Sequence, residues 1–355
     1  MIGLRIVKRQ VPLGFKGACL VLFLALALSL QLSCFLLLLG GTPPVTGIIT
    51  LFQGAFGSYW AIEDSVSKAI PIFLCSLGVA IAFRLKIWNI GAEGQFALGC
   101  VGATWVALSF PGWPSFLLLP AMIVMAMAAG GIWGAVPALL RQRFNTNEII
   151  VTLMMNYIAI LFLDFLVYGV WKDPTSFGFP MTPAFSDAAV VGKIGNSGIN
   201  WGLTHCVVLG LLVWVLLKYS RIGFQIKAAG DNVRAAKYAG LPYDRLVMLV
   251  MVLSGALAGW AGFLEASATV NRLQPSIMVG YGYTAIVVAW LARLNPLRIA
   301  IASFLLAGLR VGVENLQLDL QVPAAFGGIL EGLILLTVLA GGFFTSYRFE
   351  WRKKE

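Results

Sequence analysis

R-L-K-I-W-N-I-G-A-E-G-Q-F-A-L-G, residues 84–99, opens one of the most apolar parts of the chain. From Ile87 to Leu140 the only charged side chain is Glu93. Gly91 and Gly94 bracket it, and Asn89 and Gln95 lie beside it. A carboxylate at membrane depth is costly unless it faces a cavity or a partner. Glycines next to polar side chains mark a helix that is broken or closely packed. The stretch therefore reads as part of a solute pathway, with Asn89, Glu93 and Gln95 as lining candidates. If it is helical, Asn89 and Glu93 share a face by their i,i+4 spacing. The competing reading is structural: Glu93 caps a broken helix or pairs with an internal donor.

Working outward, the composition agrees with a membrane setting. Of the 355 residues, 59% are hydrophobic and 11% charged, where a soluble domain has about 45–50% and about 25%. An integral membrane protein with many spans is expected. The net charge of +10 does not point to nucleic acid, because the basic residues sit at the ends of apolar runs, as orientation signals do. Cys19, Cys34, Cys75, Cys100 and Cys206 lie in or near apolar runs without metal-like spacing, and read as small hydrophobes. His205 is the single histidine. With no cluster of Asp/Glu or Cys/His, a membrane enzyme is disfavoured. There is no G-x-x-x-x-G-K-[ST], so no P-loop ATP site is expected in the chain. The first apolar run, 17–39, has the length of a span and exceeds a signal-peptide core.

Basic and apolar segments together predict an all-α, polytopic membrane protein of about ten transmembrane helices, with both termini inside. The expected spans are 17–39, 66–84, 90–109, 116–140, 149–171, 202–217, 246–267, 277–292, 298–315 and 325–343. Residues 40–65 and 172–200 are read as outer loops. Twenty of the 25 Lys and Arg then fall on the inner side, as the positive-inside rule requires. Only Lys68, Lys172, Lys193 and Arg272 fall outside, and Arg310 lies within a span. Two five-helix halves of inverted topology are a plan such a count permits, although no sequence repeat supports it. The chain reads as a single transmembrane domain, 1–355.

The largest polar block is 218–245, K-Y-S-R-I-G-F-Q-I-K-A-A-G-D-N-V-R-A-A-K-Y-A-G-L-P-Y-D-R. Asp231 or Asn232 can cap a short helix, Val233 to Ala239, and Gly240 can end it. Such a helix suits a groove on another protein. A solvated loop that only enforces orientation is the alternative.

Other polar residues fall in or near spans. Asn147 and Glu148 are read as caps of the fifth span. Thr152 and Asn156 share a face beyond them; an Asn in a span usually bonds another helix, with a cavity role second. Asp164 is a deeper pathway candidate. Glu265, Arg310, Glu314 and Glu331 are read as packing charges, and most of Trp88, Trp105, Trp171, Trp201 and Trp290 as interfacial anchors.

The chain resembles the permease subunits of ATP-driven (ABC) importers for nucleosides and simple sugars, within the broad branched-chain amino acid and ribose permease family. The resemblance is carried by G-V-A-I-A-F-R-L-K-I-W-N-I-G-A-E-G-Q-F-A-L-G (78–99), N-T-N-E-I-I-V-T-L-M-M-N-Y-I-A (145–159), A-A-G-D-N-V-R-A-A-K-Y-A-G-L (228–241) and G-Y-G-Y-T-A-I-V-V-A-W-L-A-R-L-N-P (280–296). It implies a multi-pass protein of the bacterial cytoplasmic (inner) membrane, with no cofactor of its own. ATP and Mg would sit on a partner ATPase. It further implies a second permease, related or identical, and an extracytoplasmic substrate-binding lipoprotein. The 218–245 block would then be the coupling segment that meets the ATPase, through Arg221, Gly223, Ala229, Gly230, Asn232, Ala235, Ala236 and Gly240. A purine or pyrimidine nucleoside is the expected solute. A simple sugar or branched-chain amino acid, or an ion-coupled secondary transporter using Glu93, Asp164 and Glu265, are the alternatives.

Overall fold

The computed structural model describes residues 2–8, 15–41, 43–321, 323, 328–330, 332–334, 336–337, 340–341 and 347–353. Of the expected tenth span, 325–343, nine of the 19 residues fall outside them, Glu331 among these. In chain order the helices are α1 (Phe15–Leu39), α2 (Pro44–Phe56), α3 (Tyr59–Arg84), α4 (Ala92–Ser109), α5 (Ser115–Phe144) and α6 (Glu148–Tyr168). There follow α7 (Gly202–Tyr219), α8 (Arg221–Asp231), α9 (Val233–Tyr238), α10 (Tyr243–Leu264), α11 (Tyr281–Leu291) and α12 (Pro296–Leu320). The fold is helical, as expected, apart from a terminal ribbon. There β1 (Ile2–Lys8) pairs antiparallel with β2 (Tyr347–Lys353), Ile2 opposite Lys353. Among the described residues six helices are long and apolar enough to cross a membrane: α3, α5, α6, α7, α10 with its continuation to Val270, and α12.

The chain divides into two compact units, 1–62 with 308–355, and 63–307. In the first, α2 lies against the later part of α12. Asn315 Nδ2 donates to the Gly54 carbonyl at 3.2 Å. A methyl group at Gly308 would meet the Phe56 ring, and one at Gly312 the Leu51 carbonyl. Small residues thus let two backbones approach, as in membrane helix pairs. Leu37, Leu316 and Leu330 form a buried cluster beside them. The expected outer loop at 40–65 is corrected here. Pro44 starts a helix at a position where its missing N–H costs nothing, and α3 begins at Tyr59. Gly47 and Gly54, which look like loop residues, are packing contacts against Leu37 and Asn315.

The second unit is built around α4. This helix packs against α5 and α10, which also pack on each other, with α6 and α11 at its start. A Cβ at Gly99 would enter the Gly259 backbone, and one at Gly130 the Gly255 carbonyl. Fourteen of the eighteen α4 residues are buried. In α6 only six of 21 are buried, forming one stripe: Thr152, Met155, Asn156, Ala159, Leu163 and Val167. That is the pattern of a helix with one face on protein.

Local signals account for the turns. α5 ends in a left-handed residue, Asn145 at φ 51°. Asn147 caps α6 as expected, accepting from Ile149 N at 2.9 Å, and an Arg141–Glu148 ion pair closes the turn. Loop 172–200 lies along the segment after α10, through Thr182 N to Leu273 O at 3.0 Å and Phe185 N to Asn271 O at 2.9 Å. α10 itself runs into a π-turn, Glu265–Val270. The expected eighth span proves to be short: α11 has 11 residues, about 16 Å, half the hydrocarbon thickness of a bilayer.

Candidate functional site

The starts of α4 and α11 meet inside the second unit. After α3 the chain turns over residues 85–91 and enters α4 at Ala92, which puts Glu93 in the first turn. α11 begins after Gly280, which adopts φ 87°, a left-handed conformation that glycine takes without strain. The Glu93 carboxylate bridges the two helices, accepting from Gly280 N at 3.0 Å and from Gly282 N at 2.6 Å. A side chain at Gly282 has no room, because its Cβ would sit 2.6 Å from Glu93 Cα. Two helix N-termini, each carrying partial positive charge, therefore converge on one carboxylate. Of the two readings of Glu93, this geometry is that of a cap, and the helix it caps is α11.

Further side chains complete the node. Asn89 and Gln95 exchange amide hydrogen bonds, Asn89 Nδ2 to Gln95 Oε1 at 2.9 Å and Gln95 Nε2 to Asn89 Oδ1 at 3.1 Å. Asn89 also accepts from Gly91 N at 3.0 Å and donates to Ser254 Oγ of α10 at 2.8 Å. Asn156, from α6, accepts from Gly94 N at 2.9 Å, which satisfies one of the free donors at the start of α4. Its amide donates to Ile90 O at 2.9 Å and Tyr283 Oη at 3.2 Å. On the α10 side, Tyr281 Oη donates to Glu265 Oε1 at 3.4 Å. The first turn of α11 is thus held from both sides.

The sequence candidates separate on this map. Asn89, Glu93, Gln95 and Asn156 belong to the node, and each is buried. Thr152 is buried against it, its Cβ beside Gly91, with its hydroxyl on Glu148 and Ile149 carbonyls of its own helix. Asp164 stands apart, about two turns beyond Asn156 on α6, and is partly exposed. Around the node the exposed polar groups are Tyr157, 56% exposed, and Tyr283, 38% exposed. At the far end of α11, Trp290 lies against Trp88, with ring centroids 5.4 Å apart, and Phe83 backs both. Ser254, Tyr283, Gly280 and Gly282 were missed as members of the node. The G-Y-G-Y run at 280–283 was visible, but a backbone N–H leaves no side-chain signature to read.

The second candidate region is α8 with α9. The expected helix at 233–239 forms as α9, its first turn capped by Asn232 Oδ1, which accepts from Ala235 N at 3.1 Å. Gly240 follows at φ 74°. α8 is an addition, capped by Ser220 Oγ on Gly223 N at 2.9 Å. Of the eight residues singled out there, Gly223, Ala229, Gly230 and Ala236 are buried. Gly230 sits on the Arg84 carbonyl, and Gly223 on those of Leu216 and Leu217. Arg221, Asn232, Ala235 and Gly240 face outward, together with Phe224, 70% exposed, and Tyr238, 93% exposed.

Comparison with known proteins matches residues 61–339 to the family described as branched-chain amino acid transport system, permease component. The guanosine ABC transporter permease protein NupP of Bacillus subtilis is 32% identical over 322 residues, 90% of this chain and 92% of that one. The nucleoside ABC transporter permease protein NupB of Lactococcus lactis is 29% identical, covering 93% and 91%. The glucose ABC transporter permease protein TsgB13 of Haloferax volcanii is 31% identical, covering 86% and 83%. By that match over most of its length, this chain belongs to the permease-component family of branched-chain amino acid transport systems.

Proposed function

We propose that this chain is the transmembrane permease subunit of an ATP-driven importer that carries a nucleoside across a bacterial cytoplasmic membrane. The observation that carries this is the 32% identity to a guanosine permease over 90% of the chain. The six long apolar helices and the half-length α11 support a translocation role, since half-helices whose N-termini meet at membrane depth are a transporter device.

In this reading the chain makes about ten spans with both ends inside. Hydrolysis belongs to a separate ATPase that meets α8 and α9. Their outward residues Arg221, Phe224, Asn232, Ala235, Tyr238 and Gly240 form the docking face. Gly223, Ala229, Gly230 and Ala236 hold the two helices against the membrane domain. A second permease and an extracytoplasmic binding lipoprotein complete the importer. The solute passes the face of α11 that carries Tyr283 and Trp290, with Tyr157 and Trp88 beside it. The node of Asn89, Glu93, Gln95 and Asn156, with Thr152 packed against it, fixes that wall from behind, and Asp164 lies further along the same route.

The test is reconstitution with the ATPase and the binding lipoprotein, followed by uptake of labelled guanosine. ATP-dependent uptake, competed by nucleosides and not by glucose, is expected. Uptake that persists without ATP and collapses with the proton gradient sinks the proposal. A simple sugar is the second reading, favoured by the 31% identity to a glucose permease. Calorimetry on the lipoprotein separates the two.

A further inference from the structure

An apolar groove of about 480 Å³ runs between α3, α7 and α12 within the second unit. Ile70 and Phe73 form one wall, Val207 and Gly210 the floor and lip, and Leu297 and Phe304 the other wall. Gly210 gives the groove its depth, because a Cβ there would lie 3.0 Å from the tip of the Phe73 ring. Along α7 the lining extends from Leu203 to Trp214, about 16 Å, or about one leaflet of hydrocarbon. Val207 and Leu211 are more than half exposed, so the groove opens on the outer surface of this unit.

One end of the groove is cationic. Lys218 Nζ lies 4.9 Å from the centroid of the Trp214 ring and 5.1 Å from that of Tyr219. Among the described residues no carboxylate forms an ion pair with it. The same end holds the first residues of α12, Pro296 and Leu297, followed by exposed Arg298. An ammonium, a guanidinium and the start of a 25-residue helix thus stand where the apolar lining stops. An aromatic pair at that level is the usual mark of the headgroup boundary.

We propose that this groove binds an anionic phospholipid. One acyl chain lies in the groove, and the phosphate meets Lys218 and Arg298. Basic pockets between membrane helices recognise anionic headgroups in this way. The lining offers hydrocarbon contacts and few polar ones, which suits a chain. The charge at its end suits a phosphodiester, and it favours an anionic headgroup over a zwitterionic one, whose own ammonium is repelled by the two cations.

The experiment uses the purified permease, with its ATPase, in mixed micelles holding equal phosphatidylglycerol and phosphatidylcholine of the same chain length. Native mass spectrometry counts the lipid retained. Preference for phosphatidylglycerol on the order of tenfold is expected. It falls to near parity in the Lys218→Gln, Arg298→Gln double variant. Val207→Trp, which fills the open side, is expected to remove the tightly held lipid while leaving assembly with the ATPase intact. Equal retention of the two lipids by the unmodified protein overturns the proposal, as does unchanged retention in Val207→Trp. Oleic acid held as firmly as phosphatidylglycerol overturns the phosphate assignment. Disulfide capture of a second permease chain at Val207→Cys would place protein in the groove, and likewise overturns it.

Discussion

α4 and α6 are both helices of the second unit, and they solve opposite problems. α6 has 21 residues with an apolar surface on most sides and one buried stripe. α4 has 18 residues, seven of them Gly or Ala, and is buried on nearly every side. A hydropathy criterion finds α6 and passes over α4. The difference is the surroundings. α6 exposes most of its surface and carries long apolar side chains there, whereas α4 is surrounded by the rest of the unit and carries small ones, so that its neighbours can come close. The helix that positions the node is thus the less hydrophobic of the two.

Substitutions can break this comparison. The largest effect is expected for Gly259→Val, whose side chain must enter the space between α10 and α4 or α5, where the neighbours are backbone. Overpacking of this kind costs about 3 kcal/mol or more where nothing can yield. Loss of a monodisperse peak in size-exclusion chromatography checks it. Glu93→Ala comes next. It leaves Gly280 N and Gly282 N without an acceptor, which costs about 2–4 kcal/mol. Glu93→Gln keeps one acceptor and should cost about half as much. Thermal unfolding of the purified permease compares the two, and equal melting temperatures for both variants and the parent would remove the capping role. Asn156→Leu strips three bonds from the node but retains its volume; a loss of about 2 kcal/mol is expected. The smallest effect belongs to the exposed side of α6. Phe162→Leu, at a position 43% exposed, should stay within about 0.5 kcal/mol. A large loss there would mean that protein covers that face.

A further contrast separates the buried and the outward residues of α8 and α9. Tyr238→Ala, at 93% exposure, should leave the melting temperature of the permease unchanged. In the proposed importer it should reduce substrate-stimulated ATP hydrolysis several-fold. Gly230→Leu, pressed against the Arg84 carbonyl, should lower both.

Much of this fold could be read from the chain because charge and turn residues punctuate it. Arg141 and Arg143 mark the end of α5, Asn147 the start of α6 and Asn232 the start of α9, each within a few residues. α2 was read as loop because Pro43, Pro44, Gly47 and Gly54 are ambiguous without knowing what packs on them. α11 was read as a full span because apolar length alone does not reveal where the helix begins. The node was half legible. Asn89, Glu93, Gln95 and Asn156 stand out as polar residues in apolar surroundings. Their partners do not, since Gly280 and Gly282 contribute backbone and Ser254 is an ordinary residue in a small-residue run. Asp164 stood out equally and lies elsewhere, because polarity in a span does not say which face carries it.

The bridge from Glu93 to Gly282 joins residues 189 positions apart in sequence. At a synthesis rate of about 5–20 residues per second, the carboxylate emerges some 10–40 s before its donors exist. During that interval the Glu93 carboxyl lacks the two N–H donors that hold it in the finished fold, and a carboxyl group at membrane depth without a partner is costly. A chain cut before Gly280 is therefore expected to leave α4 less firmly packed than in the full-length protein. The Glu93 bridge can close only once the start of α11 has been made, with α12 still to follow.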